Sequence, residues 1–422
     1  MIKHTDSSVI LGHDDGFWTA EHHSESGAGP VSISLGDDTL VKDCGFHIDD
    51  LTPDCAVLEK FRAYHRGGAA VVEAKGVFPF GNEIRFSHVC RYAANHARFT
   101  FDFNWPKNTD VKRHLGLGDI FLPGEWRRLL ILPPAPPLGG APKPVWREIP
   151  PAASKNLMLG HWHSPPLAVV FERPDGTRLE VGTGSDIWRW QNSFGAGPEN
   201  GSYKIILEAD GIRFTREPLM CCAPFTPPPR QARFTWYMAW HGKQMPAWKS
   251  QRVDTPLSLD RSKKLSLPET MEDGQAFSID LAALVVPAAM RKSLSAADFI
   301  RGKTSGTACW ESNAANKMVR AFIRQLAAKY DGGELRLKGL LPQVCFVPGH
   351  VDRKAENGIV HWDMGAILDL TTWARRTLGD TWALRLENRL VDTLPSLRGI
   401  ELANGFDPDE VIEADDVWES ES

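Results

Sequence analysis

The stretch His96-Ala-Arg-Phe-Thr-Phe-Asp-Phe-Asn-Trp105 alternates without a break. Phe99, Phe101, Phe103 and Trp105 fall on one side of an extended chain, and His96, Arg98, Thr100, Asp102 and Asn104 fall on the other. Strand side chains repeat every two residues, so this segment has one apolar face and one row of hydrogen-bonding groups. The aromatic face requires a second layer to bury it. The polar row is either a wetted sheet face or the floor of a polar binding groove.

The preceding segment, Glu83–Tyr92, alternates in the same way. Ile84, Phe86, Cys90 and Tyr92 share a face with His88, which reads as a hydrogen-bonded core histidine. Glu83, Arg85, Ser87 and Arg91 share the other face. The short connection Ala93-Ala-Asn95 makes the two segments an antiparallel hairpin. Two registers keep apolar against apolar. One sets Arg91 opposite Arg98, which like-charge repulsion disfavours. The other sets Arg85 opposite Asp102 and Arg91 opposite His96, and is the expected one. Either register gathers Arg85, Arg91, Arg98, His96 and Asp102 on one face. The structural alternative to a binding site is a solvated face balanced by cross-strand ion pairs.

The strand pattern extends over residues 1–270. Ala168–Val181 and Tyr203–Thr215 each place two apolar runs around an Asp-Gly turn, as hairpins do. Ala69–Val77, Trp126–Leu132 and Ala232–Trp240 are further strands. In the last of these Phe234, Trp236, Met238 and Trp240 share a face. The 36 Gly and 30 Pro supply the turns that so many strands need. The expected fold is mainly β: a large antiparallel β-sandwich over 1–270, then a smaller mixed α/β, helix-rich region over 271–406. An acidic, flexible tail is expected over 407–422. In the second region Ser312–Tyr330, Gly365–Thr377 and Thr381–Leu394 read as helices, and Glu334–Leu341 and Gln343–Val347 as short strands.

The segment after the polar row, through Gly116-Leu-Gly-Asp-Ile-Phe-Leu-Pro-Gly-Glu-Trp-Arg-Arg128, reads as a loop rich in Trp, Asn, Asp and Glu. Loops on a rigid sheet often carry function. The paired strands Glu83–Tyr92 and His96–Trp105, together with Leu122-Pro-Gly-Glu-Trp-Arg127, resemble the β-supersandwich domains of the galactose-mutarotase type. The resemblance spans about half of the chain. It implies a concave sheet that binds sugar and a place among carbohydrate-active proteins. It transfers no catalytic residue, because no diagnostic motif is matched.

The resulting expectation is a carbohydrate-active protein that cleaves a glycosidic bond in a polysaccharide or oligosaccharide, by hydrolysis or by uronate β-elimination. Hydrolysis uses a pair of carboxyl groups flanking the bond. Asp102 and Glu125 are the candidate carboxyls and His96 the proton shuttle. Arg85, Arg91, Arg98 and Asn104 are candidate ligand clamps, since arginine forks match carboxylate oxygens. Trp105 and Trp126 are candidate stacking surfaces. The alternatives are a non-catalytic glycan-binding or assembly protein, or a metal-dependent enzyme. For the latter, Cys345 through Asp363 packs ligand types into one loop, with His350, Asp352, His361 and Asp363 as ligands of a divalent metal. The primary reading needs no cofactor.

Several classes are excluded or disfavoured. The net charge of -5 gives no basic footprint for nucleic acid. No apolar run is long enough to span a bilayer. The chain has no GxGxxG, P-loop, GxSxG or HExxH motif. The expected partner is therefore a glycan or a small polar or anionic ligand. The N-terminus lacks an apolar signal core. Seven scattered cysteines without a CxxC pair fit reduced thiols, so a cytoplasmic setting is expected.

Overall fold

A computed structural model describes residues 1–12, 18–27, 29–48, 55–66, 69–79, 83–92, 95–104, 114–132, 145–150, 157–159, 168–183, 203–220, 231–242, 253–256, 267, 269, 275–280, 295–297, 304–308, 313–338, 344–345, 361–362, 364–379 and 381–387. The chain divides into two compact units. The first comprises residues 1–133, 144–243 and 412–422, and the second residues 134–143 and 244–411.

Among the described residues the first unit contains eighteen strands. In chain order they are β1 (Ile2–His4), β2 (Ser8–Gly12), β3 (Trp18–His23), β4 (Ser32–Leu35), β5 (Asp38–Ile48) and β6 (Val57–Arg66). Next come β7 (Ala69–Phe78), β8 (Ile84–Tyr92), β9 (His96–Asn104), β10 (His114–Pro123), β11 (Arg128–Leu132) and β12 (Val145–Glu148). The last are β13 (Leu157–Leu159), β14 (Ala168–Glu172), β15 (Arg178–Thr183), β16 (Tyr203–Glu208), β17 (Gly211–Met220) and β18 (Gln231–His241). They form two nine-stranded antiparallel sheets, in the orders β1-β2-β3-β4-β5-β10-β17-β16-β13 and β12-β11-β14-β15-β18-β9-β8-β7-β6. The expected antiparallel sandwich is present.

Aromatic side chains join the sheets. Phe46 of β5 meets Phe101 at 4.2 Å, Phe103 at 5.7 Å and Phe86 at 6.0 Å between ring centroids. Trp18 of β3 meets Tyr92 at 5.5 Å and Trp240 at 5.7 Å. Phe171 of β14 meets Phe214 of β17 at 5.2 Å. The alternation of β9 is thus the alternation of one sandwich layer: Phe99, Phe101 and Phe103 are buried, while His96, Arg98, Thr100 and Asp102 are half-buried. Both Asp-Gly hairpins form, as β14–β15 and β16–β17.

The hairpin register differs from the expected one. Arg91 stands opposite Arg98, Arg85 opposite Asn104 and Ser87 opposite Asp102. The inner face decides this. Phe86 lies opposite Phe103, Cys90 opposite Phe99 and His88 opposite Phe101, with the His88 and Phe101 rings stacked at 3.6 Å. Both registers bury the same aromatic side chains, and they differ in which rings meet; a well-placed ring pair is worth about 0.5–1.5 kcal/mol beyond burial. An exposed like-charge pair costs only a few tenths of a kcal/mol up to about 1. A second correction concerns the segment read as a loop: it contains β10, which pairs with β5 and β17 across several register shifts.

In the second unit a four-stranded parallel sheet runs in the order Val253–Pro256, Gln275–Asp280, Gly333–Lys338, Trp382–Glu387. Helices Asn313–Lys329 and Met364–Leu378 form the crossovers between its last three strands, as parallel pairing requires. Phe277, Ile279, Leu335, Leu337, Leu384 and Leu386 alternate along these strands and are buried, as is the stripe Val319, Phe322, Ile323, Leu326 of the first helix. The expected helix over Thr381–Leu394 is instead the strand Trp382–Glu387, so among the described residues this region is not helix-rich. Residues 381–387 read Thr-Trp-Ala-Leu-Arg-Leu-Glu, and their period of two follows the sheet. Among the described residues no helix is long and apolar enough to cross a membrane.

Candidate functional site

Strand partners in an antiparallel sheet present their side chains to the same face. The strand order therefore defines what shares the polar face of β9. One row across the sheet runs Gly182, Tyr237, Arg98, Arg91, Val71, Tyr64. Beside it runs Glu180, Ala239, His96. On its other flank lie Thr235, Thr100, Val89, Glu73, Arg62, and then Arg233, Asp102, Ser87.

Exposure varies along these rows. Glu180 and Ala239 are 0% exposed, Tyr237 3% and Thr235 9%. His96, Arg98, Thr100 and Asp102 are half-buried, and Arg85, Arg91 and Asn104 are exposed. The predicted row therefore lies between the buried half of the face, on β15 and β18, and exposed Arg91; beyond it Val71 and Glu73 of β7 are buried again, at 2% and 6% exposed. Its donors and acceptors are partly desolvated yet reachable.

The buried half holds a carboxyl that the sequence reading did not single out. The Tyr237 hydroxyl donates to Glu180 Oε1 at 2.7 Å. A carboxyl shut away from water requires such donors. Gly182 makes the contact geometrically feasible: a Cβ at this position would sit 2.3 Å from the Tyr237 ring. The ring thus lies directly across β15 to reach Glu180, two residues along that strand from Gly182. Gly182→Ala is expected to displace the ring and break the bond, lowering stability by about 2–4 kcal/mol. Chemical denaturation checks this, with Tyr237→Phe expected to reproduce the hydrogen-bond part alone.

Farther along the same face a second buried carboxylate is held by two arginines. Arg128 Nε donates to Glu172 Oε1 at 2.7 Å and Arg178 Nε to Oε2 at 2.6 Å. Both guanidinium groups lie over the Trp146 ring, at 4.3 and 5.1 Å. Burial pushes the Glu172 pKa up. The hydrogen bonds and charges of Arg128 and Arg178 outweigh it and hold the group below its ordinary value.

The structure separates the two predicted catalytic carboxyls. Asp102 pairs with Arg233, whereas the Arg128–Glu172–Arg178 row meets β18 at His241. The two positions are about eight residue steps apart along β18, about 26 Å at roughly 3.3 Å per residue. Glu125 precedes Arg128 and lies beyond that row. A glycosidase pair must flank one bond, at about 5 to 9.5 Å. Asp102 and Glu125 are therefore not such a pair.

The other predicted residues fall as follows. Arg85 stands opposite Asn104 rather than Asp102 and pairs with Glu59, at 3.0 Å. His96 Nδ1 lies 3.3 Å from the Asn95 side-chain oxygen. Trp126 is not a stacking surface: it is buried in the core, edge-on to Phe171 at 5.9 Å, with Arg173 over its ring. Trp105, His350, Asp352 and Asp363 lie outside the described residues. His361 is described in its backbone, which pairs with Cys345. Among the described residues no group of three or more His, Cys, Asp or Glu side chains is arranged to hold a metal ion.

No family model matches the chain, and no curated protein matches it. Solved structures similar to it include a galactose mutarotase-like protein from Lactobacillus casei ATCC 334, at 8% identity and TM-score 0.34, covering 56% of this chain and 100% of that one. Mutarotase-like structures are thus among those it resembles. A beta-arabinopyranosidase is 10% identical with TM-score 0.35, over 91% of this chain and 67% of that one. The GH36 alpha-galactosidase AgaA from Geobacillus stearothermophilus is 8% identical with TM-score 0.35, over 92% and 72%.

Proposed function

We propose that the chain is a carbohydrate-active protein that binds a glycan along the half-buried row His96, Arg98, Thr100, Asp102. The supporting observation is the position of this row between buried Tyr237 and exposed Arg91. Groups placed there have lost part of their water and still reach a ligand. Planar donors and acceptors of this kind suit hydroxyl-rich ligands, and the mutarotase-type texture of strands β8 and β9 favours sugar over other polar molecules. Binding is the primary activity in this reading, because the carboxyls expected to hydrolyse a glycosidic bond stand too far apart.

The test is calorimetric titration of a glycan panel, with product analysis on every member. At least one glycan is expected to bind. Asp102→Asn is expected to weaken that binding about tenfold, corresponding to about 1.4 kcal/mol, while leaving the melting temperature unchanged. A panel in which nothing binds the native protein would overturn the proposal.

A further inference from the structure

The register of β8 against β9 places Arg91 directly opposite Arg98. Neighbouring strands lie about 4.8 Å apart, so two guanidinium-bearing residues share one spot on the sheet. Four arginines of this face are matched with acids. Arg62 pairs with Glu73, Arg85 with Glu59, and Arg128 and Arg178 with Glu172. Arg91 is exposed, and among the described residues it has no carboxylate within ion-pair range.

The line continues toward the sheet edge. Val71 stands opposite Arg91, and Tyr64 of β6 stands opposite Val71. Arg66, two residues beyond Tyr64, is exposed on the same face. Arg98, Arg91 and Arg66 therefore follow one another across β9, β8 and β6, with Tyr64 among them. The nearest acid on β7 is Glu73, already engaged by Arg62 and by Lys75 at 3.3 Å.

We infer that the glycan bound on this face is anionic, and that Arg91 and Arg66 hold its carboxylate or sulfate groups. The inference rests on the glycan reading of the same face. An oxyanion at exposed Arg91 accepts two-pronged hydrogen bonds from a planar donor, a geometry that lysine does not supply. Arg66 extends the contact to a second charged group of a polymer lying across the strands. A ligand held in this way binds less tightly as salt rises, because the arginines are exposed.

The experiment compares matched polymers by calorimetric titration. Polygalacturonate is set against its fully methyl-esterified form, and dextran sulfate against dextran. The native protein is expected to bind the charged member of at least one pair at least tenfold more tightly than the neutral one. The pair that responds identifies carboxylate or sulfate. Raising NaCl from 50 to 500 mM is expected to weaken that binding at least fivefold. Arg91→Gln is expected to weaken it at least tenfold and Arg66→Gln about threefold, with melting temperatures at or above the native value. Equal binding of charged and neutral members, or native-like affinity in Arg91→Gln, would overturn the anionic inference and leave the glycan reading standing. Failure of all four polymers and of the wider panel would remove both.

Discussion

Between pH 6 and pH 5 the stability of the first unit is expected to fall by about 2–3 kcal/mol, as two buried histidines are forced to take up protons. His22 and His88 lie inside the sandwich. His22 Nε2 meets the Tyr92 hydroxyl at 2.6 Å, and His88 Nδ1 donates to the Gly27 carbonyl at 2.9 Å. The Cys90 sulfur sits 3.3 Å from His88 Nε2. Burial lowers the His22 pKa from 6.5 to about 3, helped by the nearby His88 and opposed by its bond to the Gly29 backbone. Burial lowers that of His88 to about 3 as well, opposed by the bond to Gly27.

Both folded-state values lie below the unfolded one, so the unfolded chain binds more protons between pH 6.5 and 3. Stability is fully present above about pH 6.5 and is lost as pH falls toward 3. Each histidine contributes about 1.4 kcal/mol per pH unit in that window, up to roughly 5 kcal/mol. Domains of this kind have about 5–15 kcal/mol in total, so unfolding is expected near pH 4. Denaturant midpoints at half-unit steps check the claim. An uptake of about two protons per molecule on unfolding between pH 6 and 5 is the expected result, and a flat profile there would contradict it. Glu172 and Glu73, whose folded values lie below the ordinary carboxylate range, add to the loss only at lower pH.

Glu172→Gln is expected to cost about 3 kcal/mol. It leaves Arg128 and Arg178, 22% and 19% exposed, side by side over Trp146 without their shared counter-charge. Glu73→Gln provides the comparison. Its partner Arg62 is 48% exposed and hydrated, so the same chemistry there is expected to cost much less. The two also differ in salt. The Glu73 effect shrinks in 0.5 M NaCl at a screening length of roughly 4 Å, whereas the Glu172 effect persists. Replacing all three buried charges by Leu and Met is expected to recover most of the loss, because a buried pair is far more costly to break than to omit. Equal costs for the Glu172 and Glu73 changes would show that burial does not set the strength of the first.

Much of the sandwich was legible because its signals are local. Phe99, Phe101 and Phe103 declare their face through a period of two, and the Asp-Gly turns at 175–176 and 210–211 declare the β14–β15 and β16–β17 hairpins. His88 was legible as a core histidine because it stands among apolar neighbours of one strand face. The β8–β9 register was not legible. Electrostatics on the open face favoured Arg85 against Asp102, but an exposed like-charge pair costs so little that the inner-face pairing of His88 on Phe101 sets the register and leaves Arg91 against Arg98.

The candidate site divides in the same way. The alternation of β9 by itself established that His96, Arg98, Thr100 and Asp102 share a face. Only the tertiary structure brought β18 beside β9 and β15 beside β18, which adds Tyr237, Gly182 and Glu180. Those residues come from segments remote in sequence, and no local periodicity encodes which strands become neighbours. The separation of Asp102 from Glu125 is likewise a property of strand order and length, invisible to composition. What the sequence determined is which side chains each strand turns outward. What the structure decided is which outward rows meet, and how much water each keeps, because pairing and burial are settled by the packing of the two sheets against each other.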